Sequence, residues 1–348
     1  MATQASFFAG RSVVVTGAGG FIGSHVCRRL AVEGAVVHAM VRRAGSRRLT
    51  HVARTTNPGR SSRTTSSPGG SVTEWELDVT AAEPIRERFA TARPEIVIHL
   101  AGDTTARRFD GDWAAIDRAL AVNLWGTLNV VRAAIDSDTV RVVIRAGGLE
   151  EYGTGATPYD ESQREQPVSP YSASQVAATH ITEMLQQHTP IALVTLRPAL
   201  VYGPAQSTDF FIPALIDNCL RGIDFDMSDG EQRRDVVYID DLVDAILAAA
   251  SAVDLRDGID LRGAVINVGH GVEHRMVDIA RLIVRLTSTD ATVRIGARPR
   301  RTGDLEHLVA KTDVATSMLG WHPRVTLAEG LSRTIDWCRA EIGAQAER

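Results

Sequence analysis

The stretch that most limits what this chain can fold into is Val13–Leu30, VVVTGAGGFIGSHVCRRL. Val13, Val14 and Val15 lead into Thr16. Gly17, Gly19, Gly20 and Gly23 follow, and Ile22, Val26 and Leu30 then recur at helical spacing. A strand, a tight glycine turn and a helix start fit this order. Gly17 allows the turn, Gly20 lets backbone N–H groups approach a pyrophosphate, and Gly23 lets helix and strand pack closely. The backbone from Gly17 to Gly23, Phe21 and Ile22 included, is therefore the expected cradle for a dinucleotide. Its phosphates would sit at the helix N-terminus, where unpaired N–H groups and the dipole favour negative charge.

The next strand, Ala35–Val41, ends in Val41, Arg42 and Arg43 with no acid. An acid at this place binds the ribose 2′-hydroxyl of NAD, whereas a basic residue accommodates a 2′-phosphate. NADP is favoured, with NAD second. The alternative is that both arginines are simply solvated. Ala44–Val72 is long, polar and rich in Ser, Thr, Gly and Arg. It carries Arg47, Arg48, Arg54, Arg60 and Arg63 and no acid. It reads as a mobile loop, either ordered over the adenosine phosphate or disordered at its tip.

Strands Thr73–Leu77, Ile96–Leu100 and Val140–Ile144 alternate with helices Glu83–Thr91 and Trp113–Asp136. This alternation predicts a parallel, doubly wound α/β sheet with its ligand at the carboxyl ends of the strands. Strand Ala264–Val268 is expected to return to that sheet. At 348 residues the chain has room for one large domain and an appended lobe. The expected division is a dinucleotide domain over 1–205, to which 233–270 return, and a smaller C-terminal α/β substrate lobe from 206–232 and 271–348.

The formal net charge of −4 gives no reason to expect nucleic acid or a membrane surface as partner. No apolar run reaches the ~18 residues of a membrane span, and the N-terminus lacks a cleavable leader, so a cytoplasmic protein is expected. Cys27, Cys219 and Cys338 match neither a disulfide framework nor a metal spacing. His270, His274, His307 and His322 are scattered, and no metal site is expected.

With these elements in place the chain resembles the extended short-chain dehydrogenase/reductase family, in its nucleotide-sugar epimerase/dehydratase branch. TGAGGFIGSH is similar to the family's glycine motif. Asp78-Val79 resembles the pair that holds the adenine, and Leu100-Ala101-Gly102 of HLAG the strand end beside the cofactor. Asn123 matches a common helix asparagine. Glu150-Glu151-Tyr152-Gly153 resembles the segment after the active-site strand, and Pro170–Ser174 the start of the catalytic helix. RPALVYGP (Arg197–Pro204), RRDVVYIDDLVDAI (Arg233–Ile246) and GWHPRVTLAEGLSRTIDW (Gly320–Trp337) extend the likeness nearly to the C-terminus.

The resemblance implies a Rossmann-type fold, a nicotinamide cofactor, a nucleotide-diphosphate sugar as substrate, and a homodimer. It also implies three groups at the nicotinamide: a tyrosine base toward the sugar C4 hydroxyl, a lysine four residues later, and a serine or threonine. A tyrosine and a residue four positions on share one helix face. Ser169 is a suitable N-cap and Pro170 fits the first turn, so Tyr171 and residue 175 should lie together. Here the chain departs from the pattern. Residue 175 is Gln175, and the serine/threonine position falls on Gly148. Gln175 can still donate to the ribose hydroxyls. A neutral amide cannot lower the tyrosine pKa from its ordinary value of about 10 as a cation does.

Three explanations stay open: an enzyme using other residues, an impaired relative that retains the binding sites, or an introduced replacement, against which the coincident Gly148 argues. Arg145, near the end of an apolar strand, either replaces the missing cation beside Tyr171 or is a buried ion-pair partner. Glu150 resembles the glutamate that acts near C5 of the sugar in dehydratases and decarboxylases; Glu151 is expected to be solvent-side or structural. Arg234 and Arg301 (the latter in RPRRTGD, Arg298–Asp304) resemble diphosphate contacts, which arginine forks suit. Asp240 and Asp241 are expected to cap a helix over Leu242–Ala250. The first expectation is a 4,6-dehydratase acting through transient C4 oxidation. A 4-epimerase or 4-keto reductase, or a binding protein without turnover, are the alternatives.

Overall fold

The computed structural model describes residues 6–45, 49, 64–66, 69–255, 258–288, 290–301 and 303–346. The strands of the first half are β1 (Ser12–Thr16), β2 (Val36–Val41), β3 (Thr64–Ser66), β4 (Ser71–Glu76), β5 (Ile96–His99), β6 (Val142–Ala146) and β7 (Ala192–Pro198). Those of the second are β8 (Leu200–Tyr202), β9 (Phe225–Met227), β10 (Arg233–Tyr238), β11 (Val265–Val268), β12 (Glu273–Arg275), β13 (Val293–Ile295) and β14 (His307–Leu308). The helices are α1 (Phe21–Val32), α2 (Ala82–Ala92), α3 (Trp113–Ala119), α4 (Gly126–Ile135), α5 (Pro170–Gln186), α6 (Phe211–Arg221), α7 (Ile239–Leu255), α8 (Met276–Thr287) and α9 (Leu327–Ala346).

The large sheet runs β11-β7-β6-β5-β1-β2-β4-β3. Its neighbours are parallel except for the edge pair β3–β4. The fold is thus the doubly wound α/β class expected. In β1, Val13 and Val15 join one apolar core and Val14 the other. Side chains alternate along a strand, so a run of three buried valines needs cover on both faces, which a parallel sheet with helices on each side provides. The order reverses between β1 and β5, and at such a switch point a crevice opens beyond the strand ends. The turn after β1 and the segment after β5 face each other there.

Expected boundaries hold to within a few residues, with three instructive differences. The helix expected over Trp113–Asp136 is interrupted by a π-helical turn, Leu120–Trp125, between α3 and α4. Residues 233–238 form β10, which pairs with β8, β12 and β14 in a smaller sheet; the return to the large sheet is made by β11 against β7. Finally, α7 begins at Ile239, earlier than expected, so Asp240 and Asp241 lie within its first turn. Asp241 instead accepts the N–H groups of Arg324 and Val325, both at 3.0 Å, and ties the C-terminal segment down. Arg47, Arg48, Arg54, Arg60 and Arg63, and with them the expectation of a loop over the adenosine phosphate, lie outside the described residues.

Candidate active site

The turn from β1 to α1 has the shape a pyrophosphate requires. Gly17 sits at φ +64°, and a Cβ there would lie 2.7 Å from the backbone of Leu100 and Ala101. A Cβ on Gly23 would lie 2.3 Å from the Gly17 carbonyl oxygen. Only glycine fits at either place. Gly20 is the N-cap of α1, no side chain caps it, and no acid stands in the first turn. The first amides and positive dipole end of a twelve-residue helix are therefore left without a capping side chain. These features fit a dinucleotide.

The segment after β5 is held to this turn by a buried chain of hydrogen bonds. The Thr16 hydroxyl accepts the N–H groups of Leu100 (3.2 Å) and Ala101 (3.1 Å), so its own proton goes to His99 Nδ1 at 2.7 Å. His99 Nε2–H then donates to Thr127 at 3.0 Å, and Thr127 donates to the Asn123 carbonyl at 2.6 Å. This tautomer is neutral, and burial pushes the imidazole down to about 3. Asn123, in the π turn, accepts from Asp103 N (2.7 Å) and donates to Asp103 O (3.0 Å) and Ser174 Oγ (2.9 Å). Its side chain thus fixes the crevice loop to α5. Asp78 is exposed and holds Thr80 N and Oγ1 in a turn at 2.9 and 2.8 Å, with Val79 buried behind it. Arg42 and Arg43 are exposed directly after β2.

Helix α5 starts as its sequence dictates. Ser169 accepts from Ser172 N at 3.1 Å, Ser172 reciprocates to Ser169 N, and Pro170 occupies the first turn. Tyr171 and Gln175 follow one turn apart. The Tyr171 hydroxyl and the Glu150 carboxylate flank Gly148: a Cβ there would stand 2.8 Å from Glu150 Oε2 and 3.5 Å from Tyr171 Oη. Burial, reinforced by Glu150 and Glu151, pushes the Tyr171 phenol up, and Arg107 and Arg145 only partly oppose this.

Arg145, near the end of β6, is 1% exposed. Its Nη1 donates to Thr179 (2.9 Å) and Thr195 (3.5 Å), and its Nη2 to the backbone O (3.0 Å) and the side-chain Oε1 of Gln175. All of these partners are neutral. Of the two readings open for Arg145, the direct ion pair is therefore not what forms; it meets Gln175. The Thr179 hydroxyl passes its proton to Glu151 Oε2 at 2.7 Å. Glu151 is buried, not solvent-side: it also accepts Gly148 N at 3.0 Å and pairs with fully buried Arg197 through Nε (3.0 Å) and Nη2 (2.8 Å). Gly147 makes room for this, since a Cβ there would collide with Glu151 Oε1.

Glu150 and Tyr171 open into a cleft of ≈ 530 Å³. Arg107, Arg108, Arg234 and Arg301 also line it. Arg234 is tied to Asp304 at 2.6 Å, while Arg301 is exposed. Sequence reasoning missed Arg107 and Arg108; their position directly after the β5 segment was the available signal. Among the described residues no group of three His, Cys, Asp or Glu is arranged to hold a metal.

The family model described as NAD dependent epimerase/dehydratase matches residues 13–269. A UDP-glucose 4-epimerase from Mycolicibacterium smegmatis is 30% identical over 335 residues, 94% of this chain and 98% of the relative. A human dTDP-D-glucose 4,6-dehydratase is 28% identical over 278 residues, 75% of this chain and 73% of the relative. The solved structure of MoeE5 in complex with UDP-glucose and NAD superimposes with a TM-score of 0.79 at 28% identity, covering 95% of this chain and 99% of that one.

Proposed function

This chain belongs to the NAD dependent epimerase/dehydratase family, and from that premise we propose that it is a nucleotide-sugar 4,6-dehydratase. The observation that carries the reading is the Glu150 carboxylate beside the Tyr171 hydroxyl in the cleft, occupying the space over Gly148 where another side chain would stand. When bound, the nicotinamide cofactor supplies hydride acceptance at sugar C4 and hydride return at C6. Tyr171 takes the C4 hydroxyl proton. The C5–H, now next to a carbonyl, is acidic, and Glu150 removes it. The C6 hydroxyl leaves with a proton as water, and C5 is reprotonated as C6 is reduced. The balance is one water lost and a 4-keto-6-deoxy sugar formed.

The uncapped N-terminus of α1 holds the cofactor's pyrophosphate in this reading, and Arg42 and Arg43 favour NADP over NAD because no carboxylate follows β2. Asp78-Val79 take the adenine, and Leu100-Ala101-Gly102 the nicotinamide side. The lobe of 206–232 and 271–348 takes the nucleotide sugar. Exposed Arg301, on the cleft lining, meets the diphosphate in this reading, whereas Arg234 has to release Asp304 to do so. We further propose a cytoplasmic homodimer. Trp113 at the start of α3 and Trp125 at the end of the π turn that follows it, 69% and 58% exposed, suit burial against a second copy.

A 4-epimerase is the second reading, favoured by the end-to-end match to the mycobacterial UDP-glucose 4-epimerase. The test is incubation with NADP or NAD and a panel of UDP-, dTDP-, GDP- and CDP-hexoses, read by mass and NMR. Loss of one water supports the dehydratase. An isomer of unchanged mass moves the assignment to epimerase, and reduction by NADPH to a 4-keto reductase. Binding without product means an impaired binding protein.

A further inference from the structure

We propose that Arg145 is a positioning residue that stands in for the absent lysine, acting through Gln175. It holds the amide oxygen inward and so turns the amide N–H groups toward the nicotinamide ribose of the cofactor. The inference rests on the dinucleotide cradle, not on the sugar reaction.

A guanidinium donates and never accepts. Two of the hydrogen bonds from Arg145 Nη2 end on Gln175, one on its backbone carbonyl and one on its side chain. The side-chain atom facing Arg145 must therefore be Oε1, which fixes the amide orientation that hydrogen-bond chemistry otherwise leaves open. Nε2 is then forced to the opposite side. There it lies 3.7 Å from the Cβ position of Gly102, in the exposed segment after β5, at the switch point of the sheet. No described residue accepts from Nε2, although the rest of Gln175 is buried at 6% exposure. A donor-only nitrogen facing the crevice from a packed helix can donate to ribose hydroxyls, which accept as well as donate.

The charge that a lysine would bring has not left the site; it has moved one group back. Arg145 stays ionised even when buried. Around it stand His99 on β5, Glu151 after β6, Tyr171 on α5 and Arg197 on β7. The single carboxylate of that set, Glu151, is already paired with Arg197 and reaches Arg145 only through the Thr179 hydroxyl. A lysine at 175 would meet this guanidinium without a counter-ion. The unusual residues at 145 and 175 thus explain one another.

The test is calorimetric titration with NADPH and NADH, needing no sugar substrate. Gln175→Glu is nearly isosteric and can pair with Arg145, so its thermal midpoint should not fall. Its second oxygen replaces the Nε2–H donor, so the hydrogen bond that the amide donates to the ribose is lost, and affinity should drop about tenfold. Gln175→Lys should also weaken binding. Arg145→Met/Gln175→Lys, which removes the competing cation, should return to within about threefold of wild type, a rescue that a merely structural arginine would not give. The proposal is overturned if Gln175→Lys alone tightens binding, or if Gln175→Glu binds like wild type. If wild type bound neither dinucleotide, the cradle reading itself would fall, an outcome distinct from one in which all the proteins bind alike.

Discussion

Glu150 Oε2 and Tyr171 Oη converge on Gly148, 2.8 and 3.5 Å from where its Cβ would be. A carboxylate therefore fills the place that a hydroxyl side chain would take beside the tyrosine. For the dehydratase this makes Glu150 the acid–base group at C5. Glu150→Gln keeps size and shape and should reduce water loss from the nucleotide sugar about 10²–10⁴-fold. Dinucleotide affinity should stay within about twofold, since Glu150 is not part of the β1–α1 turn. Product mass spectrometry and calorimetry on the same preparation check both. Undiminished turnover would remove Glu150 from the mechanism and favour epimerisation.

The Tyr171 phenol is pushed above its ordinary value by burial first and then by Glu150 and Glu151. At neutral pH it is therefore protonated, and its base form becomes more populated as pH rises. Single-turnover C4 oxidation should increase with a slope approaching tenfold per pH unit between about 7 and 9. Tyr171→Phe should abolish it. Stopped-flow recording of reduced nicotinamide across this range decides, and a flat profile would mean that another group takes the proton.

Arg42 and Arg43 stand exposed immediately after β2, where a 2′-phosphate would arrive. Replacing both by alanine should weaken NADPH binding about ten- to hundredfold and leave NADH within about twofold, because charge-assisted hydrogen bonds to phosphate are lost only for the former. Equal losses for both cofactors would point to a general effect on the strand end and leave no NADP preference to explain.

What could be read from the chain alone was local. The glycine turn is legible because steric limits act over a few residues: Gly17 and Gly23 have no room for a Cβ. The capped start of α5 is legible for the same reason, through Ser169, Pro170 and Ser172. The polar interior was not. Glu151 meets Arg197 46 residues away and Thr179 28 residues away, so its burial depends on how β6, β7 and α5 pack. Arg145 stood out as a charge in an apolar strand, but that its fork ends on Gln175 requires the register of α5 over the sheet. Asn123 lies in the π turn, and its amide bonds to Asp103 and to Ser174, 51 residues on, depend equally on how that turn packs against α5.

The Glu151–Arg197 pair is fully enclosed, with exposures of 1% and 0%. Glu165 adds a second carboxylate at 2.6 Å, and the guanidinium lies over the Tyr152 ring at 4.6 Å. Arg197→Met leaves Glu151 buried without its counter-ion and should cost about 3–5 kcal/mol of stability. Adding Glu151→Gln to it should recover part of that loss, because the uncompensated charge is gone. Urea denaturation of the single and double variants measures this, and additive losses would show that the two residues do not act as a pair.

His99 gives the fold an acid limit whose sign follows from its hydrogen bonds. Its Nδ1 accepts from Thr16, so the native ring is neutral, with its pKa lowered to about 3 by burial and then by Arg145. In the unfolded chain the value returns to about 6.5. Between these values the unfolded state binds more protons than the folded one, so stability increases with pH across the window. The contribution is complete above about pH 6.5 and is lost as pH falls toward 3, amounting to about 2 kcal/mol by pH 5. Carboxylates elsewhere also titrate in this range, so the useful quantity is a difference. His99→Gln retains polar atoms for Thr16 and Thr127 but cannot take up a proton. Its stability relative to wild type should therefore improve steadily as pH is lowered from 7 to 4, read by urea denaturation at each pH. A wild-type–variant difference that stays constant over that range would mean that His99 is not the group that charges on unfolding.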